Sequence, residues 1–137
     1  MAVLTAEFLG LIPGFFSANV EESVSSLNSL LRLCFIRELS AEENYLLLGA
    51  SLTVPPHVRQ ALFARAFNND DLLPRLRKPV LVTHGKEDAV VKPEVIERQM
   101  TRIPKLETHL FANAGHACFW DDAPAYNRCL SDFVSAA

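Results

Sequence analysis

The chain has 137 residues, half of them hydrophobic and 21% charged, with a formal net charge of −3. That is enough material for one ordinary domain with a packed core, while an acidic balance without a Lys/Arg cluster argues against nucleic acid as a partner. The apolar runs are too short to cross a bilayer, and Met1 to Glu7 lacks the basic start of a secretory signal. A cytoplasmic protein with no membrane partner is therefore expected, its odd and widely spaced Cys34, Cys118 and Cys129 reduced.

In chain order, the first stretch places Phe8, Leu9, Leu11, Ile12, Phe15 and Phe16 around Pro13-Gly14, which suits a loop or a short helix with an apolar face. Asn19 to Glu22 has capping-box spacing, and Val20, Val24, Leu27, Leu31 and Phe35 then recur at helical intervals. Ser40 to Glu43 repeats the signal ahead of Tyr45 and Leu48. Pro55-Pro56 stops that helix and opens a third, in which Val58, Leu62 and Ala66 share a face. Asn68 to Asp71 is a polar break, with Asn69 or Asp70 as the N-cap of a short helix to about Arg77.

The pattern changes at Lys78-Pro79, because a residue before proline is pushed toward extended geometry. Val80 to Val82 is a continuous apolar run that suits a parallel strand buried on both faces. Pro93 opens a helix with Val95, Ile96 and Met100 inward, and Leu106 to Phe111 is a second strand. Asp121 or Asp122 then caps a last helix with Pro124 in its first turn and Tyr126, Leu130 and Phe133 on its core face. A crossover of this length makes the two strands parallel neighbours. Two strands alone leave an open sheet edge and helices with little to pack on, so association through that edge, or a further stretch of polypeptide, is expected.

Parallel neighbours carry the turns that follow them to the same sheet edge, which puts Asp88 and His116 together. A histidine base needs an acceptor on its far nitrogen to hold its tautomer, and Asp88 can supply it. The plain alternative is that Asp88 merely closes the Gly85–Asp88 turn and His116 caps the last helix region. Glu87 is the fallback acid, His84 reads as a structural hydrogen-bonder, and His57 and His109 read as surface or strand-face residues. Phe119 and Trp120, next to His116, are the best candidates for a substrate pocket among the aromatics Phe15, Phe16, Phe35, Phe119 and Trp120. Cys118 reads as a small buried hydrophobe, and no His/Cys/carboxylate spacing suggests a metal.

The stretch Leu76-Arg-Lys-Pro-Val-Leu-Val-Thr-His-Gly-Lys-Glu-Asp88, with Ile103-Pro-Lys-Leu-Glu, Ala114-Gly-His116 and Phe119-Trp-Asp-Asp-Ala-Pro124 through Phe133, resembles the C-terminal part of the α/β-hydrolase superfamily. The resemblance implies an α/β fold that is a part of the hydrolase fold: a helical cap-like region over residues 1–73, and a strand–helix–strand–helix unit with two parallel strands over residues 74–137. It implies that Asp88 and His116 stand at the triad acid and base positions. It implies hydrolysis of an ester or related bond in a small apolar substrate, with no cofactor. The family's G-x-S-x-G elbow has no counterpart among Ser17, Ser23, Ser25, Ser26, Ser29, Ser40 and Ser51. Gly49-Ala-Ser51 comes nearest, but it lacks the second glycine and follows a helix. The nucleophile is therefore expected outside this chain, which alone should turn over almost nothing. Two alternatives stand beside this reading: a non-catalytic binding or interaction module, and one half of an enzyme completed by a second chain.

Overall fold

The computed structural model describes residues 3–66 and 71–136. The expected N-cap at Asn69 or Asp70 lies outside the described residues. Seven helices, one 3₁₀ turn and a two-stranded parallel sheet are described.

Helix α1 (Ala6–Phe15) is the short helix, not the loop, of the two forms expected around Pro13, and it buries Phe8 and Phe15. Thr5 starts it: the hydroxyl oxygen accepts from the Phe8 N–H at 3.2 Å, and the same hydroxyl donates to the Ala89 carbonyl at 2.6 Å. The first helix is thus tied at its origin to the loop after the first strand. Helix α2 (Val20–Cys34) begins at Asn19, whose side-chain oxygen accepts from the Glu21 and Glu22 N–H groups. The capping box is not reciprocal here, because the Glu22 carboxylate accepts from the Ser17 hydroxyl instead. Helix α3 (Ala41–Leu52) carries the complete Ser40–Glu43 box, worth about 1 kcal/mol by comparison with other caps.

Phe8, Phe15, Leu27 and Val90 form a buried cluster, with Leu48 and Val91 packed against it. The N-terminal helices therefore do have a surface to pack on: one another, and the loop that follows the first strand. Tyr45 faces outward on α3. In helix α4 (Pro56–Phe63), Val58 and Leu62 are exposed, and the helix ends before Ala66, so the expected shared face is not the buried one. Phe63 supplies the inward contact instead, its ring edge-on to Phe16 at 5.4 Å. The expected helix to Arg77 is a single 3₁₀ turn, Leu73–Arg75, which ends where the chain turns extended ahead of Pro79.

Strands β1 (Val80–Gly85) and β2 (Leu106–Phe111) pair in parallel, with Val80 opposite Leu106 and Gly85 opposite Phe111. Residues Val80 to His84 are half-buried rather than fully buried, because one neighbour and one layer of helix shield a strand less than a full parallel sheet would. Helix α5 (Val95–Met100) crosses between the strands with Val95 and Ile96 partly covered and Met100 exposed. After β2 come the short helix α6 (Cys118–Asp121) and helix α7 (Ala123–Ala136). Tyr126 packs on Phe111 at 5.8 Å, but Leu130, expected inward, is exposed, since two strands give α7 only a narrow surface to cover.

The carboxyl ends of the strands are stitched together beyond the sheet. Lys86 N–H donates to the Phe111 carbonyl at 2.9 Å, and Glu87 N–H to the Ala114 carbonyl at 3.0 Å. This close approach requires glycine at Gly85, where a Cβ would stand 2.0 Å from the Gly115 carbonyl oxygen and 2.3 Å from that of Ala114. Both obstacles are backbone atoms and cannot rotate away. The Gly85→Ala chain is expected to lose about 2–3 kcal/mol in urea unfolding, the upper part of the range for overpacking, because both obstacles are backbone. A loss below about 0.5 kcal/mol, the scatter of surface substitutions, would show that the two turns can part freely.

Candidate active site

Gly85 and Phe111 are paired, so residues a few positions beyond each emerge side by side. Asp88 follows on one turn and His116 on the other, and His116 Nδ1 lies 3.0 Å from Asp88 Oδ2. The carboxylate is an acceptor, so Nδ1 carries the proton and Nε2, across the ring, is left as the basic nitrogen. The Asp88 side chain is 2% exposed and that of His116 is 42% exposed. The acid is enclosed and the base is open to approach.

Asp88 is held from several sides. Oδ1 accepts from the Val90 and Val91 N–H groups at 2.8 and 2.9 Å, in a turn of the kind short carboxylates favour. Oδ2 faces both His116 and, at 3.3 Å, the Nε2 of His84. Burial pushes the Asp88 carboxyl up, but the hydrogen bonds from His116 and from the Val91 and Val90 N–H groups outweigh it and hold the pKa below the ordinary 3.8. The bond to Asp88 pushes the His116 imidazole up from 6.5, against the opposing effect of its own partial burial.

The turn that carries His116 is fixed by α2 and α6. Asp121 Oδ2 accepts from the Gly115 N–H at 2.8 Å and from the Ile36 N–H at 3.3 Å, while the Ala117 N–H donates to the Cys34 carbonyl at 2.9 Å. Asp122, not Asp121, caps α7, through the Ala125 N–H at 3.1 Å. Sequence reasoning treated the two aspartates as interchangeable caps and so missed this clasp; no local pattern distinguishes them, because the clasp depends on α2, far off in sequence. The contact of His84 with Asp88 was missed as well, although their separation of four residues, spanning a strand end and a tight turn, was visible.

Trp120 Nε1 donates to Glu43 Oε1 at 3.4 Å, and its ring stands edge-on to Phe35 at 6.1 Å. Glu43 is also bound by the Arg37 guanidinium. Phe119 is exposed and touches Tyr126 edge-on. Open cavities of about 550 and 590 Å³ lie between β2 and α7 and beside the α2–α3 turn, and neither is lined by Asp88, His116, Phe119 or Trp120. Glu87 is exposed on the turn. His57 is exposed on α4, and His109 lies on β2 against Phe111. Burial raises the Cys118 thiol, and burial together with the charges of Asp88 and Asp121 raises Cys34 to about 11, so neither is a ready thiolate at neutral pH. The Ser51 hydroxyl donates to the Leu47 carbonyl within its own helix. Among the described residues no group of three or more His, Cys, Asp or Glu side chains could hold a metal ion, and no helix is long and apolar enough to cross a membrane.

No family model matches the chain. It is 36% identical over 62 residues to a 2-hydroxy-6-oxononadienedioate/2-hydroxy-6-oxononatrienedioate hydrolase of Cupriavidus pinatubonensis, covering 45% of this chain and 22% of that one. It is 26% identical over 129 residues to a 2-hydroxy-6-oxo-6-phenylhexa-2,4-dienoate hydrolase of Burkholderia cepacia, covering 88% and 45%. Among solved structures, an esterase from Rhodococcus sp. ECU1013 superposes with a TM-score of 0.88 at 29% identity, covering 96% of this chain and 48% of that one. The chain spans less than half the length of these proteins. Its fold is that of the C-terminal part of an α/β-hydrolase, and the relatives it matches are hydrolases.

The two shifts set a pH window for stability. A depressed Asp88 stabilises the fold above its unfolded value near 3.8 and loses that contribution as pH falls through the lower folded value. A raised His116 stabilises fully below 6.5 and loses its contribution as pH rises through the higher folded value. The difference in melting temperature between the chain and its Asp88→Asn variant is therefore expected to be largest between about pH 4 and 6.5 and to shrink on either side. A difference that does not vary with pH would mean that the two groups do not interact.

Proposed function

We propose that the chain supplies the acid–base half of a hydrolase that cleaves an ester or related bond of a small, apolar molecule, with the nucleophile on polypeptide outside it. Residues 1–73 are the cap region and residues 74–137 the core portion that carries the pair. The nucleophile attacks the scissile carbonyl, His116 Nε2 takes its proton and passes it to the leaving group, and Asp88 holds Nδ1–H in place and supports the imidazolium. Phe119 and Trp120, three and four residues after His116 and the aromatic side chains of α6, form the apolar wall for the substrate.

The 3.0 Å contact between His116 Nδ1 and Asp88 Oδ2 at the carboxyl edge of a parallel sheet carries this reading. It is supported by the activities of its relatives, an esterase and oxo-dienoate hydrolases, and by the superposition on half of that esterase. Among the described residues β1 pairs with a single strand, which fits polypeptide outside this stretch, in the same chain or in a second one, completing the sheet.

The test joins the segment of the Rhodococcus esterase that precedes the matched half to this chain and assays p-nitrophenyl acetate. The joined protein is expected to turn over, and His116→Ala or Asp88→Asn to lower kcat by about 10³-fold or more. This chain alone should hydrolyse the ester no faster than an equal concentration of free imidazole. A folded, active joined protein that is indifferent to His116→Ala would overturn the proposal and leave a binding module as the reading.

A further inference from the structure

We propose that His84 is a positioning residue for Asp88, a second N–H donor that shares the carboxylate oxygen used by His116. The inference rests on Asp88 and His116 being the acid–base pair, and it adds a residue to that site.

His84 is on β1, four residues before Asp88, and its side chain is 10% exposed. Its Nε2 has two neighbours, the Val91 carbonyl oxygen at 3.0 Å and Asp88 Oδ2 at 3.3 Å. Both are acceptors, so Nε2 must carry a proton. A carboxylate offers about four lone-pair sites. Here the Val90 and Val91 N–H groups face Oδ1, while His116 Nδ1 and His84 Nε2 face Oδ2. The buried anion accepts three hydrogen bonds, from the Val90 and Val91 N–H groups and from His116, while His84 Nε2, itself bonded to Val91 O, stands 3.3 Å from Oδ2; donors gathered this way keep a carboxylate ionised and immobile in an apolar setting.

The same ring also closes a small loop. By bonding Val91 O while Asp88 bonds Val91 N–H, His84 pins both sides of the segment that presents the acid. Without it, Oδ2 keeps one partner and the loop loses an anchor. The other titratable neighbours are engaged elsewhere or face away from Asp88. Cys34 of α2 and Cys118 of α6 are raised thiols, Asp121 of α6 is bound to the Gly115 and Ile36 N–H groups, and Lys86 and Glu87 are exposed on the turn. Around Asp88 the two imidazoles face one oxygen.

The test records imidazole ¹H–¹⁵N correlations of the ¹⁵N-labelled chain from pH 5 to 9. His84 is expected as the Nε2–H tautomer, and its resonances should show an inflection at the midpoint of His116. In His84→Phe the His116 midpoint should lose at least half of its displacement above 6.5, and His84→Gln, which keeps an N–H near the same place, should retain it. A His84 signal that ignores the titration of His116 overturns the proposal, and that measurement decides the matter even if His84→Phe does not fold. An unchanged His116 midpoint in a folded His84→Phe overturns it equally, while leaving the acid–base pair in place. A wild-type His116 midpoint at 6.5 would remove the pair itself, and the role of His84 with it.

Discussion

The pairing of Gly85 with Phe111 at the carboxyl ends of two parallel strands is the constraint on which the site depends. A shift of one residue in that register would turn every side chain of one strand to the opposite face and would part the turns that carry Asp88 and His116. The register is secured beyond the strands by the Lys86 and Glu87 N–H groups, which donate to carbonyls of the opposite turn, and by the missing Cβ of Gly85, which admits the Ala114–Gly115 backbone. Among the described residues none has a positive φ, so this glycine is needed for space and not for backbone conformation. Proximity of the acid and the histidine is thus a property of the backbone before it is one of the side chains.

Once the two are close, burial does the rest. An enclosed carboxylate must be met by donors or give up its charge. Asp88 is met by backbone N–H groups on one oxygen and by imidazole on the other, and it stays acidic despite burial. His116 is pulled the other way, toward holding its proton, while its side chain remains open to approach. The helical part of the chain enters the same structure through two ties. Val90, next to the acid, is buried against Phe8, Phe15 and Leu27, and the end of α2 holds the His116 turn through Cys34 O and the Ile36 N–H on Asp121. The N-terminal helices therefore support both turns, although Phe111 of β2 belongs to a second buried cluster with Ala114 and Cys118.

Much of this was legible in the sequence, and the reasons are local. Prolines and caps mark Asn19, Ser40, Pro55-Pro56 and Lys78-Pro79, and the elements begin at or within two residues of those marks. Short apolar runs bounded by turn residues mark both strands, and the crossover length fixes their parallel sense. What was not legible depends on tertiary packing. The periodicity of α4 pointed to Val58 and Leu62, yet Phe63 is the residue that meets Phe15 and Phe16, because α1 approaches from that side. Leu130 and Met100 fit an inward face by period but lie beyond the narrow surface that two strands provide. Asp121 and Asp122 are identical in local pattern, and only the end of α2 tells the clasp from the cap. His84 is the structural hydrogen-bonder its place suggests, through Val91 O, but its approach to Asp88 depends on the turn folding back over it.

The central claim, that strand register alone brings an ionised acid onto the imidazole of His116, is tested most directly by titrating that ring in the chain and in Asp88→Asn. The account predicts a wild-type midpoint above 6.5 with the neutral ring protonated at Nδ1, and a midpoint at or below 6.5 in the variant. Equal midpoints in two folded proteins would contradict it, because the acid would then stand beside the histidine without acting on it.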